Sequence, residues 1–261
     1  MVPLGRTAIK LLGAVLLFVS PGSLDPGENR IMGGYPCKWG LQPWQAALFR
    51  MNQFYCGAVL IYPQWLLTAA HCKPRSTEKN FSIRVGKHDL FVLEKTEQSS
   101  EISDFIPHPK YDPRTKDNDL MLLRIKNPVK FNDYIRPATL TSMSVQPGTS
   151  CIVSGWGLTR SSPTPTYPDA LQCAWLKVIP QWTCRRAYPD TITDNMLCAG
   201  VEQGGTDTCQ GDSGGPLVCS GTLQGIVSWG MEACGLPGKP GIFTRVSRYL
   251  HWIKDEMDKY K

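Results

Sequence analysis

Ser213 lies in Gly211-Asp-Ser-Gly-Gly-Pro216, a serine set among glycines. A serine hydroxyl is a poor nucleophile at neutral pH and needs a base within hydrogen-bond reach. The segment matches G-x-S-x-G, the nucleophile elbow, which requires a strand before the serine, a helix after it, and then an acid and a histidine downstream. Here Thr206-Asp-Thr-Cys-Gln210 is no buried strand, Gly214-Gly-Pro216 cannot open a good helix, and the only downstream histidine is His251. The elbow reading fails. The opposite order is available. His71 sits in Thr68-Ala-Ala-His-Cys72 after an apolar run, and Asp119 sits in Asp117-Asn-Asp-Leu-Met-Leu-Leu123 at the mouth of an apolar strand. Alone, His71 reads as a satisfied core histidine. With Asp119 and Ser213 it reads as a base positioned to activate a serine.

Taken together, these segments resemble the trypsin/chymotrypsin family of serine proteases, and the resemblance covers residues 31–261. Gln42-Pro-Trp-Gln-Ala-Ala47 and Cys56-Gly-Ala-Val-Leu60 are similar to the tissue-kallikrein-related peptidases within it. The resemblance implies roles. His71 takes the Ser213 proton and later gives it to the leaving amine, while Asp119 fixes the imidazole tautomer and stabilises the imidazolium. The amides of Gly211 and Ser213 form an oxyanion hole. Ser228 supports Asp119, and Trp229 and Gly230 pair with an extended substrate backbone.

Specificity is implied in the same way. Asp207, six residues before Ser213, resembles the carboxylate at the floor of trypsin's specificity pocket. Gly230 and Gly241 resemble the glycines that keep its walls open. A buried carboxylate demands a cationic partner, and arginine can meet it bidentately. Thr208 stands where trypsin has Ser, and Phe243 where trypsin has Tyr. Loss of that hydroxyl disturbs a pocket water, which favours Arg over Lys. The expected reaction is endoproteolysis after Arg, and less well after Lys, through an acyl-enzyme and without a cofactor or metal. The rival is a catalytically inactive protease homologue acting as a binding protein. Such homologues usually lose a triad residue or the activation site, and neither is lost here.

Arg30-Ile31-Met-Gly-Gly34 resembles the family's activation site. Cleavage after Arg30 by another trypsin-like protease frees the Ile31 ammonium to pair with Asp212, ordering the pocket and the oxyanion hole. The resemblance also implies the pairings Cys37–Cys173, Cys56–Cys72, Cys151–Cys219, Cys184–Cys198 and Cys209–Cys234. It places Lys87-His-Asp-Leu-Phe-Val-Leu-Glu-Lys-Thr-Glu97 where trypsins bind calcium. Lys87 stands in place of a ligating Glu, so the ammonium is expected to pair with Glu94 or Glu97 and replace the ion. The implied fold is all-β: two antiparallel six-stranded Greek-key barrels with the active site in the cleft between them.

The rest of the chain agrees with an exported enzyme. Arg6 and Lys10 precede the apolar run Leu11–Val19, and small residues at Ser20 and Gly22 allow cleavage, as in a secretory signal. The run is shorter than the roughly 20 residues a membrane span needs. The expected division is a signal peptide at 1–22, an activation propeptide at 23–30 and a protease domain at 31–261. Ten cysteines suit disulfides in an extracellular product. Scarce histidine and the lack of paired Cys-x-x-Cys argue against zinc. The net charge is +6, of which residues 31–261 carry +5, a mild basic excess with no aromatic-interleaved run for nucleic acid. The expected partners are protein or peptide substrates, the activating protease and protein inhibitors, with no nucleic acid, no membrane and a monomeric state. Asn80-Phe-Ser82 is a glycosylation sequon. Arg160, in a Ser/Pro-rich loop, is the expected self-cleavage point.

Positioning these groups requires strands. Apolar clusters alternate with Gly/Pro/Ser turns. Phe81, Ile83 and Val85 alternate with polar neighbours, as in a half-buried strand. Gly57–Ile61 and Leu120–Leu123 are short apolar runs suited to buried strands. Thr222–Ser228 follows a Ser220-Gly221 turn and reads as a hairpin arm. Val246, Leu250, Ile253 and Met257 form one apolar stripe, the only clear helix.

Overall fold

A computed structural model describes residues 31, 33–74, 80–158, 168–231 and 233–260. The signal and propeptide boundaries, Arg30 and Arg160 lie outside the described residues. A short strand, β1 (Tyr35–Pro36), precedes six strands that close into a barrel: β2 (Gln45–Arg50), β3 (Gln53–Tyr62), β4 (Trp65–Thr68), β5 (Phe81–Val85), β6 (Gln98–Pro107) and β7 (Met121–Ile125). The closed order is β2-β3-β4-β7-β6-β5, every neighbour antiparallel. In β5 the alternation has its expected result, because Phe81, Ile83 and Val85 are buried while Ser82 and Arg84 are half-exposed.

After β8 (Thr139–Leu140) come β9 (Ser150–Gly155), β10 (Gln172–Val178), β11 (Met196–Gly200), β12 (Pro216–Cys219), β13 (Thr222–Trp229) and β14 (Gly241–Arg245). These six form the antiparallel run β10-β11-β14-β13-β12-β9, and β9 pairs again with β10 to close the second barrel. β1 adds to β10, and β8 pairs with β13 in parallel, outside the closed ring. The all-β, double-barrel expectation holds.

The apolar interiors join across the interface. Leu48, Leu66 and Leu122 of the first barrel share one core cluster with Leu223 and Ile226 of β13. Helix α2 (Leu250–Asp258) lays Ile253 on this cluster, while Val246 belongs to a preceding 3₁₀ turn, so the regular helix starts later than the stripe suggests. A second helix, α1 (Gln181–Ala187), was not apparent in the sequence. Only Cys184 of its seven residues is buried, so it carries no apolar period to read. The five disulfides join the same pairs that the resemblance implies.

Candidate active site

The first barrel supplies the acid and the base. His71 lies in a 3₁₀ turn, Ala70–Cys72, that leaves β4, and Cys72 is bonded to Cys56 of β3. Asp119 lies just ahead of β7. Asp119 Oδ1 accepts the His71 N–H at 2.9 Å, and Oδ2 lies 2.7 Å from His71 Nδ1. One carboxylate therefore fixes both the backbone and the ring of the histidine, leaving Nε2 as the free ring nitrogen.

The second barrel braces the acid. Ser228 Oγ on β13 donates to Asp119 Oδ2 at 2.5 Å, and Thr244 Oγ1 on β14 donates to the Asp119 carbonyl at 2.7 Å. Asp119 is wholly buried, whereas the His71 side chain is 21% exposed. The acid is thus shielded and the base can be reached. The neighbouring Asp117 accepts from Thr193 and Asn195, which fixes the loop from the other side. Ser228 was expected in this role; Thr244 and Asp117 were not, because isolated polar residues give no pattern in one sequence.

Ser213 comes from the turn before β12. Its carbonyl accepts the Gly57 N–H at 2.8 Å, tying the turn to β3. Gly214 has φ +82°, and a Cβ there would strike Thr68 Oγ1 and the Gly57 carbonyl. Only glycine lets the turn lie this close to the segment leading into His71. The Asp212, Gly214 and Gly215 amides donate to Cys209, Val227 and Asp212 carbonyls. Among the described residues, the amides of Gly211 and Ser213 have no acceptor.

Two carboxylates are buried beside this turn. Asp212 is fully buried and accepts from the Gly157 and Cys209 amides at 2.8 and 2.9 Å. Burial pushes its carboxyl up to about 7, with a smaller push from Asp207. Gly155 and Gly157 crowd Asp212 so closely that a Cβ at either would collide with it. Ile31 is buried in the second-barrel cluster with Val153, Leu197 and Phe243.

Asp207 is 5% exposed, and burial raises its carboxyl to about 6. It accepts from the Thr208 amide at 2.8 Å and the Gly235 amide at 3.3 Å. Gly241 forms a close wall, since a Cβ there would lie 2.7 Å from Asp207 Oδ1. A Cβ on Gly230 would meet nothing within 4 Å, so the space before it is open. Phe243 is wholly buried behind Gly241. Tyr188 backs Trp229 edge-on at 5.2 Å and was missed by the sequence reading. Among the described residues, no cation forms an ion pair with Asp207 or Asp212.

The calcium-loop equivalent is filled from within. Lys87 Nζ is buried, 2.5 Å from Glu97 Oε2 and 3.9 Å from Glu94 Oε2, and it also donates to the Val92 carbonyl. Both carboxylates named from the sequence face the ammonium. Asn80 is exposed just ahead of β5.

Twin β-barrels with a buried aspartate bonded to an accessible histidine, and a serine turn at their junction, are the architecture of a trypsin-like serine endopeptidase. The trypsin family model matches residues 31–253, and the chain belongs to that family. It is similar to human kallikrein-14, with 50% identity over 88% of this chain and 85% of the relative. Human kallikrein-8 is 47% identical over 87% and 86% respectively. The solved structure of neuropsin, a serine protease expressed in the limbic system of mouse brain, superposes with a TM-score of 0.81. It is 45% identical and covers 86% of this chain and 98% of its own.

Proposed function

We propose that this serine endopeptidase is secreted as a zymogen and, once cut after Arg30, hydrolyses proteins after Arg and less efficiently after Lys. The single observation that carries the specificity is Asp207: a carboxylate buried against Gly241, held by two amides and, among the described residues, by no cation. A substrate guanidinium entering there supplies the missing charge.

The chemical steps use the chain's own groups. His71 Nε2 takes the Ser213 proton as Oγ attacks the scissile carbonyl carbon. Asp119 stabilises the resulting imidazolium through Nδ1. The oxyanion is received by the Gly211 and Ser213 amides, a donor pair of which each member is typically worth ~3 kcal/mol in the transition state. Collapse expels the amine, which takes the proton from His71 and leaves an acyl-Ser213 ester. Water, deprotonated by His71, then repeats the addition and frees the acid. Thr208, Ser228, Trp229 and Gly241 position substrate and acid rather than react.

Activation follows from Asp212. Burial raises its pKa and, among the described residues, no cation pairs with it; the Ile31 ammonium released by a trypsin-like activator supplies the countercharge. The enzyme acts as a monomer outside the cell, is restrained by protein inhibitors and carries an N-glycan at Asn80. Among the described residues no helix is long and apolar enough to cross a membrane. Active-site titration with a serine-directed reagent, before and after cleavage at Arg30, tests this reading. Stoichiometric labelling of Ser213 only after cleavage is expected. No labelling of the cleaved chain would favour the binding-protein alternative.

A further inference from the structure

We propose that a hollow beside Asn80 seats the N-glycan of that same residue, whose first sugar ring packs on Met51 and fixes the β2–β3 turn. This inference rests on the glycosylation reading above. The hollow has a volume of about 680 Å³ and lies on the first barrel. None of His71, Asp119, Ser213 or Asp207 lines it.

Its floor is aromatic and its rim polar. At the floor, Phe81 stands edge-on to Tyr55 at 5.6 Å and to Phe105 at 5.5 Å. On the rim, Lys126 Nζ pairs with Glu101 Oε2 at 2.5 Å. Ser82 lies opposite Glu101 in the β5–β6 register. Arg84 donates to Asn52 Oδ1 at 3.3 Å, which leaves Nδ2 as the donor end of that side chain.

The turn is exposed yet tied to the sequon. Met51 and Asn52 link β2 to β3 with φ of +46° and +64°. Asparagine takes positive φ readily, whereas methionine does so at a cost. The Met51 amide donates to the Asn80 carbonyl at 3.0 Å, and the residue is 62% exposed. A group that packs on this side chain therefore stabilises the conformation the turn must hold.

An N-acetylglucosamine ring has the matching chemistry, with C–H edges and an acetyl methyl beside hydroxyls and an amide. Its apolar edge covers Met51, whose thioether adapts to irregular shapes. Its hydroxyls meet Ser82, Glu101 and Lys126. Such contacts are weak singly, and a free sugar would first have to offset the loss of translational and rotational freedom. The bond to Asn80 removes that cost and makes the contact intramolecular, at an effective concentration of about the millimolar range. The occupant is thus named by Asn80 itself, which lines the hollow and delivers the sugar to it.

The test uses the uncut precursor secreted by animal cells, so that self-digestion plays no part, with Asn80→Gln as the sugar-free form. Intact mass establishes occupancy. The glycan is expected to raise Tm by roughly 2–4 °C over Asn80→Gln, the scale of one modest contact in a domain of this size. Met51→Ser should remove most of that increment. Met143→Ser, at another exposed methionine, should leave it intact. Trimming to the first N-acetylglucosamine with an endoglycosidase should preserve it. An occupied Asn80 with no increment, or with one that survives Met51→Ser, overturns the seat alone. Loss of the increment on trimming overturns the assignment to the first ring. A dimer of Asn80→Gln that Met51→Ser dissolves, seen by sedimentation, gives the hollow to a second copy and overturns the proposal. A mass without sugar overturns the glycosylation reading itself, so the failures are distinct.

Discussion

The loop at 87–97 and the turns at 207–213 both bury charge, and they do so in opposite ways. In the loop, the Lys87 ammonium has Glu97, Glu94 and a backbone carbonyl around it, all within eleven residues of chain. In the turns, Asp207 and Asp212 have backbone amides but no cation among the described residues. A desolvated ion is tolerable only with a partner. The loop contains its partner and so behaves as a brace. The turns lack theirs among the described residues; in the proposed reading a new terminus completes one carboxylate and a substrate the other.

The comparison breaks most visibly at Arg30. Arg30→Gln should leave the secreted chain without activity even after treatment with trypsin, because no Ile31 ammonium is formed to meet Asp212. Activity equal to processed wild type, measured on an arginyl anilide, would remove the need for an outside partner. Next in size is Asp207→Ser. Losing a desolvated charge pair costs ~2–5 kcal/mol, so kcat/KM on arginyl substrates should fall by roughly 10²–10⁴-fold. A loss below tenfold would mean that the guanidinium is held elsewhere.

The loop can be broken from the inside. Lys87→Met leaves Glu94 and Glu97 facing each other and should lower stability by ~3–5 kcal/mol in urea unfolding. Millimolar calcium should recover part of that loss, because two carboxylates and the Val92 carbonyl then offer oxygen ligands. In the wild type the ammonium already occupies the space, and calcium should leave Tm unchanged. A chelator-reversible rise of several degrees would show that Lys87 swings out.

Asp212 gives the comparison a pH dependence. Its carboxyl is 3.8 ordinarily and about 7 in the uncut fold, so the folded chain retains a proton that the unfolded chain releases between those values. Stability of the precursor therefore falls as pH rises from about 4 to about 7, by up to ~4 kcal/mol. In the proposed activation, cleavage places an ammonium beside the carboxylate, which should lower its pKa and flatten that decline. Urea midpoints of precursor and processed enzyme across this range should diverge as pH rises, and parallel curves would detach Asp212 from activation.

The smallest effect sharpens the outside partner. Phe243 offers no hydroxyl behind Gly241, so Arg should beat Lys by roughly tenfold or less, the ~1 kcal/mol scale of one hydrogen bond. Equal kcat/KM on matched peptides would show that Phe243 plays no part in the choice.

The chemistry was legible because it is written in contiguous segments. Gly211–Pro216, the residues around His71 and those around Asp119 each carry their identity locally, and the alternation at Phe81–Val85 fixes a strand by period alone. Lys87 with Glu94 and Glu97 was legible too, since the partners share one loop. The structure alone decided what comes together from afar. Thr244 reaches the Asp119 carbonyl across 125 residues, Gly57 meets Ser213 across the barrel junction, and Gly155 and Gly157 close on Asp212. Helix α1 left no apolar period because one buried cysteine suffices to anchor it. A groove from Gly211 to Phe91 joins residues from β2, β3, the 87–97 loop and the serine turn. Local pattern records which face of an element is buried. Which elements then face one another is fixed by closure of two barrels around a shared core, and no single segment encodes that.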